Sequence, residues 1–122
     1  MTNTEIAKQS YLAYATSNRD ANEAVIADEF SFTSPLDNGI DRATYFSRCW
    51  PNHEQIAGFD FIRMIEAGDE VIVTYEGHHS SGRKFRNTEV LTIRDGRIVS
   101  VEVYFGWNVP HDAPPGGFRD ER

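Results

Sequence analysis

Cysteine is almost absent from this chain: one residue, Cys49, in 122. A lone thiol cannot close an internal disulfide or build a thiolate metal cluster, so a reducing compartment is expected and no metal site is read from the spacing. Also missing is any apolar run near the ~20 residues that cross a membrane. The opening residues, MTNTEIAKQS, carry neither a basic cluster nor an apolar stretch, so they do not read as a secretion signal. A cytoplasmic protein is the expectation. No glycine-rich loop runs into Lys-Ser or Lys-Thr, and no dinucleotide fingerprint is present. Positive charge is scarce and scattered, with 12 Lys and Arg against 19 Asp and Glu and a net charge of −7. That balance argues against nucleic acid or an anionic membrane as a partner.

Aromatic residues are plentiful. Eight Phe, five Tyr and two Trp supply the apolar surface for one real core. The pattern predicts a single domain over residues 1–107 and a proline- and glycine-rich tail over 108–122.

Between Glu5 and Ser17 the apolar residues Ile6, Ala7, Tyr11, Tyr14 and Ala15 recur at three- and four-residue steps, a helical stripe that Thr4 could cap. Asp20 could cap a second short helix carrying Val25 and Ile26. Period two then takes over from Glu29 to Ser34, and Pro35 stops that strand. Asp37-Asn38-Gly39 reads as a turn, because Asn and Gly tolerate positive φ. Asp41 is positioned to cap a helix over 42–50, whose apolar stripe is Ala43, Phe46, Cys49 and Trp50. Four long alternating runs follow, from Ile56, Val71, Arg83 and Ile98, joined by short turns; Asp95-Gly96 is a hairpin signal. Helices first and a sheet after predict an α+β layered domain, with mostly antiparallel strands. If the helices fill only part of a bent sheet's inner side, a cone-shaped hollow remains.

The stretch YLAYATSNRDANEAVIADEFSFTSP, the returning helix RATYF and the paired strands ending EVLTIRDGRIVSVEVYFG resemble the nuclear transport factor 2-like superfamily, over roughly residues 5–107. Its members include ketosteroid isomerase, scytalone dehydratase, limonene epoxide hydrolase and the SnoaL-like polyketide cyclases. The resemblance implies a cone-shaped α+β barrel, with N-terminal helices packed on a strongly curved sheet. It also implies a homodimer joined through the outer sheet face, where Glu102 and Tyr104 would lie. No cofactor is implied.

Carried over residue by residue, the ketosteroid isomerase pattern sets a tyrosine on the first helix, matched by Tyr11, and an acid on a late strand, matched by Glu89. In that enzyme an aspartate base moves the proton while a tyrosine and a protonated acid hold the oxygen. Here the base position holds Ser34, which cannot act alone; Asp37 is close in sequence but lies beyond Pro35 and would need to fold back. The aspartate of the epoxide hydrolase pattern falls on Val103. Strand parity sets Glu89 with Phe85, Asn87, Leu91 and Ile93, where burial would keep it protonated, unless Arg63 pairs with it. His79 shares parity with Val71, Val73 and Tyr75 and could complete an acid–base set, although it lies near a hairpin tip where solvent is close. Tyr11, Ser34, His79 and Glu89 are therefore the candidate catalytic residues. Tyr14, Phe32, Phe46, Trp50, Phe61 and Phe105 are the candidate lining for an apolar small molecule. Cys49, on an apolar stripe, reads as a small buried hydrophobe. Two functions stay open: an isomerase, cyclase or dehydratase-like enzyme acting on an apolar carbonyl or hydroxyl compound, and a binding or interaction module without turnover.

Overall fold

A computed structural model describes residues 1–120. Helix α1 (Asn3–Ala15) begins two residues earlier than its apolar stripe suggests, because Thr2 is the cap: its hydroxyl accepts the Glu5 N–H at 3.1 Å. Thr4 instead bonds outward, donating its N–H and its hydroxyl to Glu66 (2.9 and 3.0 Å). Helix α2 (Arg19–Val25) is likewise capped earlier than expected, by Asn18 rather than Asp20.

Strand β1 (Ile26–Ser34) turns directly into β2 (Asp37–Asp41), and the two pair antiparallel with Ser34 opposite Asp37. The tight turn is therefore Pro35-Leu36, and Asp37-Asn38-Gly39 belongs to a strand. Gly39 keeps its positive φ of 60° there, and its N–H is accepted by the Thr33 hydroxyl. Asn-Gly sits beside a bulge in the ladder rather than at the reversal. Asp41 caps α3 (Arg42–Arg48) through the Thr44 N–H, and a 3₁₀ turn (Trp50–Gln55) leads to the remaining strands. These are β3 (Ile56–Ala67), β4 (Glu70–His79), β5 (Lys84–Arg94) and β6 (Arg97–Val109). Asp95 and Gly96 take φ of 51° and 77°, the two-residue hairpin conformation that joins β5 to β6.

The strands form one mixed sheet in the order β2-β1-β6-β5-β4-β3, with β1 parallel to β6 and the other neighbours antiparallel. This corrects the expected cone-shaped barrel on a strongly curved sheet. β2 and β3 stand at opposite ends of the order and do not pair, so the sheet stays open; neither closure nor strong curvature is found. Closing a barrel requires a ladder between the end strands, and β2 has only five residues before its chain leaves as α3.

Burial alternates cleanly along β4, where Val71, Val73, Tyr75 and Gly77 face inward. On β6 the buried set shifts parity between Ile98 and Val101, where the β5–β6 register slips by one residue. Ile6, Ala7 and Tyr11 from α1 pack with Val71, Leu91, Ile93 and Ile98 in the core. Among the described residues no helix is long and apolar enough to cross a membrane.

Candidate functional site

Between the helices and the inner sheet face lies a cavity of about 280 Å³. Its walls are aromatic and aliphatic, and its polar groups include Tyr11, Tyr75, Asn87 and Glu89 from α1 and the inner sheet face, Ser34 and Asp37 on the β1–β2 side, and Ser10 and Asn52.

Glu89 is brought there by strand parity, and Tyr75 by the β4–β5 register. Tyr75 sits directly across from Asn87, which leaves Glu89 on the diagonal of the same face. The Tyr75 hydroxyl donates to Glu89 Oε2 at 2.6 Å, and Asn87 Nδ2 donates to the Tyr75 oxygen at 3.3 Å. Asn87 is fixed in turn by accepting the Gly106 N–H. Hydrogen bonds thus run in one direction, from backbone to amide to phenol to carboxyl. Burial raises the Glu89 pKa above the ordinary carboxyl value, against the opposing pull of the Tyr75 and Tyr11 hydroxyls. Glu89 still has accessible surface because one side of it faces the hollow.

Tyr11 is 6% exposed, and its ring is caged by Phe59 (5.2 Å), Phe61 (5.3 Å) and Tyr75 (5.5 Å between centroids). Its hydroxyl has no hydrogen-bond partner among the described residues. The Glu89 carboxyl is nearby, and desolvation first, then that carboxyl, hold the Tyr11 pKa well above the ordinary phenol value. Burial likewise raises Tyr14, Tyr45 and Tyr75. All four phenols are therefore neutral donors at physiological pH. Tyr14 spends its hydrogen on the Cys49 carbonyl (3.0 Å) and Tyr75 on Glu89, which leaves Tyr11 and Tyr45; of these two, Tyr11 is the one whose oxygen is buried without a partner. An unmade bond of this kind costs ~1–3 kcal/mol in a dry site, unless a bound molecule accepts it.

The structure places the other candidates unevenly. Tyr14, Phe32 and Phe105 line the same cavity as Tyr11, Ser34 and Glu89. His79 does not: it closes the β4 end, where Nδ1 meets the Ser81 hydroxyl at 2.7 Å and accepts the Ser81 N–H. Phe46 is covered by the guanidinium groups of Arg19 (4.8 Å) and Arg42 (5.1 Å). Trp50 stacks on His53 at 4.6 Å, and Phe61 is 40% exposed on the edge strand; none of these three lines the hollow. Arg63 is exposed and does not pair with Glu89. Tyr75 and Asn87 were passed over as site residues in the sequence, and Asp37, expected beyond Pro35 at the rim or in solvent, lines the cavity with them. The signal for the first two was their parity, shared with His79 and Glu89.

Phe85 owes its place in the cavity wall to Gly77 directly opposite, since a Cβ there would overlap the Phe85 ring. Gly77→Ala should push that ring into the hollow, costing about 1–3 kcal/mol in a urea titration and weakening any ligand the cavity holds.

On the opposite sheet face, ligand atoms of Asp60, Glu76 and His78 lie within 4.8 Å of one another. This group is internally paired. His78 Nε2 meets Asp60 Oδ2 at 2.6 Å, and Glu76 faces Arg86 at 3.8 Å. His78 and the Arg86 guanidinium thus hold two carboxylates that the ladder sets directly opposite each other.

A family model described as a SnoaL-like domain matches residues 7–101. Among solved structures, a nuclear transport factor 2-like protein from Burkholderia thailandensis is 25% identical, with 87% of this chain and 92% of that one covered at a TM-score of 0.64. One from Burkholderia xenovorans is 22% identical over 92% and 87%, at a TM-score of 0.73. A protein from Kribbella flavida reaches 0.75 at 18% identity, with 84% of each chain covered. No curated protein matches the sequence.

Proposed function

Because the chain belongs to the SnoaL-like domain family of the nuclear transport factor 2-like superfamily, whose fold carries many activities, we propose its function from the cavity: it is a small-molecule enzyme, performing acid–base chemistry of the isomerase, cyclase or dehydratase kind on an apolar compound with a carbonyl or hydroxyl oxygen. The observation that carries this reading is the buried, unpartnered Tyr11 hydroxyl beside a Glu89 carboxyl whose pKa burial raises. Donors beside an apolar hollow suit one oxygen, and they stabilise it most when it gains negative charge. The aromatic walls suit a flat, one- or two-ring body. On the far side of the sheet, where Tyr104 is 56% exposed beside Glu102, the reading puts a second copy of the chain.

The test uses 2-naphthol, a two-ring phenol whose fluorescence reports its environment and ionisation. The protein should bind it, and Tyr11→Phe should weaken binding about tenfold, the loss of one buried hydrogen bond. Failure to bind, or equal binding by wild type and Tyr11→Phe, would defeat the reading. The binding-module alternative shares the donors and differs in lacking a group that accepts a proton.

A further inference from the structure

Strand β1 ends in Ser34, which cannot accept a proton by itself, but the chain does not leave the cavity there. Pro35-Leu36 reverses it within two residues, and β2 begins with Asp37 opposite Ser34 on the cavity wall. The Ser34 oxygen accepts the Leu36 N–H at 3.0 Å, so its own hydrogen is directed to Asp37 Oδ2, at 2.9 Å. One carboxylate oxygen is thereby pinned. The other, Oδ1, has no hydrogen-bond partner among the described residues.

We propose that Asp37 is the proton acceptor of this cavity, held in place by Ser34, and that it takes a proton from the carbon next to the oxygen bound by Tyr11 and Glu89. This rests on the reading of the cavity as an acid–base site. Three features of the wall converge on Asp37. No Lys, Arg or His is among the residues lining the cavity, so no basic side chain competes for the role or neutralises the carboxylate. The remaining ionisable groups are less suited to it: Glu89 already spends Oε2 on the Tyr75 hydroxyl, burial raises the phenols, and burial, helped by Asp37 itself, pushes the Cys49 thiol up to about 11. Asp37 is also only half-buried, so a proton taken from the ligand can be returned to it or passed to water.

In the step itself the C–H bond next to the carbonyl breaks and its proton goes to Asp37 Oδ1. The C–H electron pair becomes the new carbon–carbon double bond, and the former carbonyl pair moves onto oxygen. That oxygen accepts from the Tyr11 hydroxyl and the protonated Glu89. Returning the proton at a second carbon completes an isomerisation, and expulsion of a neighbouring hydroxyl completes a dehydration. The base thus comes from the strand after the proline and not from the residue before it.

The test is elimination from 5-nitrobenzisoxazole, a flat apolar compound that needs only a carboxylate base. Removal of its ring C–H proton forms a nitrile as the N–O bond breaks, and the departing pair leaves a yellow phenolate. Wild-type protein should accelerate this beyond an equal concentration of acetate, and Asp37→Asn should lose about a hundredfold of that rate. The variant should still melt cooperatively and bind 2-naphthol within about twofold of wild type. A folded Asp37→Asn variant that keeps the rate overturns the assignment of Asp37. So does a wild-type protein that binds 2-naphthol yet gives no elimination, and in both cases the cavity reading stands. If wild type binds neither compound, the cavity reading falls, and Asp37 with it.

Discussion

Glu89→Gln should make the protein more stable at neutral and alkaline pH and flatten its stability profile. Desolvation raises the folded-state pKa of Glu89, while in the unfolded chain the group titrates as an ordinary carboxyl. Between those two values the folded form holds a proton that the unfolded form has released. Stability therefore falls as pH rises through that window and stays at the lower level above it. The slope approaches about 1.4 kcal/mol per pH unit where the two states differ by one whole proton. Below the unfolded value both states are protonated and the group contributes no slope. Glutamine cannot ionise, and its amide oxygen can still accept from Tyr75, so the fold loses little. Urea midpoints measured from about pH 4 to pH 9 should coincide for the two proteins at the acid end and diverge as pH rises. Parallel curves would mean that Glu89 is not desolvated, and Tyr11 would then be the sole neutral donor facing the ligand.

Much of this arrangement was legible in the sequence because strand parity is a local property. The alternation Phe85, Asn87, Glu89, Leu91, Ile93 set Glu89 on the helix-facing side without knowledge of any partner strand. Tyr11 was likewise set by the helical stripe it shares with Ile6 and Ala7. Parity says which face a residue occupies but not how far along the strand the cavity reaches. His79 has the same parity as Tyr75, yet it sits at the hairpin end beside Ser81. Phe46 on α3 and Trp50 in the 3₁₀ turn that follows obey a similar rule: both are buried, but against Arg19, Arg42 and His53 and not against the hollow. Asp37 was set at the rim or in solvent for another reason. Asn38-Gly39 is the stronger turn signal by residue type, and only the Ser34–Asp37 pairing moves the reversal to Pro35-Leu36. Whether the sheet closes depends on strands far apart in the chain, which no local pattern reports.

The same geometry predicts where the core cannot be cut. Ile6→Ala should cost toward the upper part of the about 2–5 kcal/mol seen for such truncations. Ile6 is fully buried where α1 meets the sheet, in one core cluster with Val71, Ile93 and Ile98, and it does not border the cavity. A new void there has no existing space to merge with, so the loss combines transferred area with lost contacts. Leu91 is buried to the same degree but borders the hollow. Truncating it enlarges a space that already exists and that a ligand can fill, so Leu91→Ala should cost less than Ile6→Ala, nearer the lower end of that range. Chemical denaturation of the two variants reads the difference directly. Added 2-naphthol should restore part of the stability of Leu91→Ala and little of that of Ile6→Ala, after allowing for what the ligand gives wild type. Equal costs, with no selective rescue, would mean that the hollow is filled by side chains in solution and that nothing binds there.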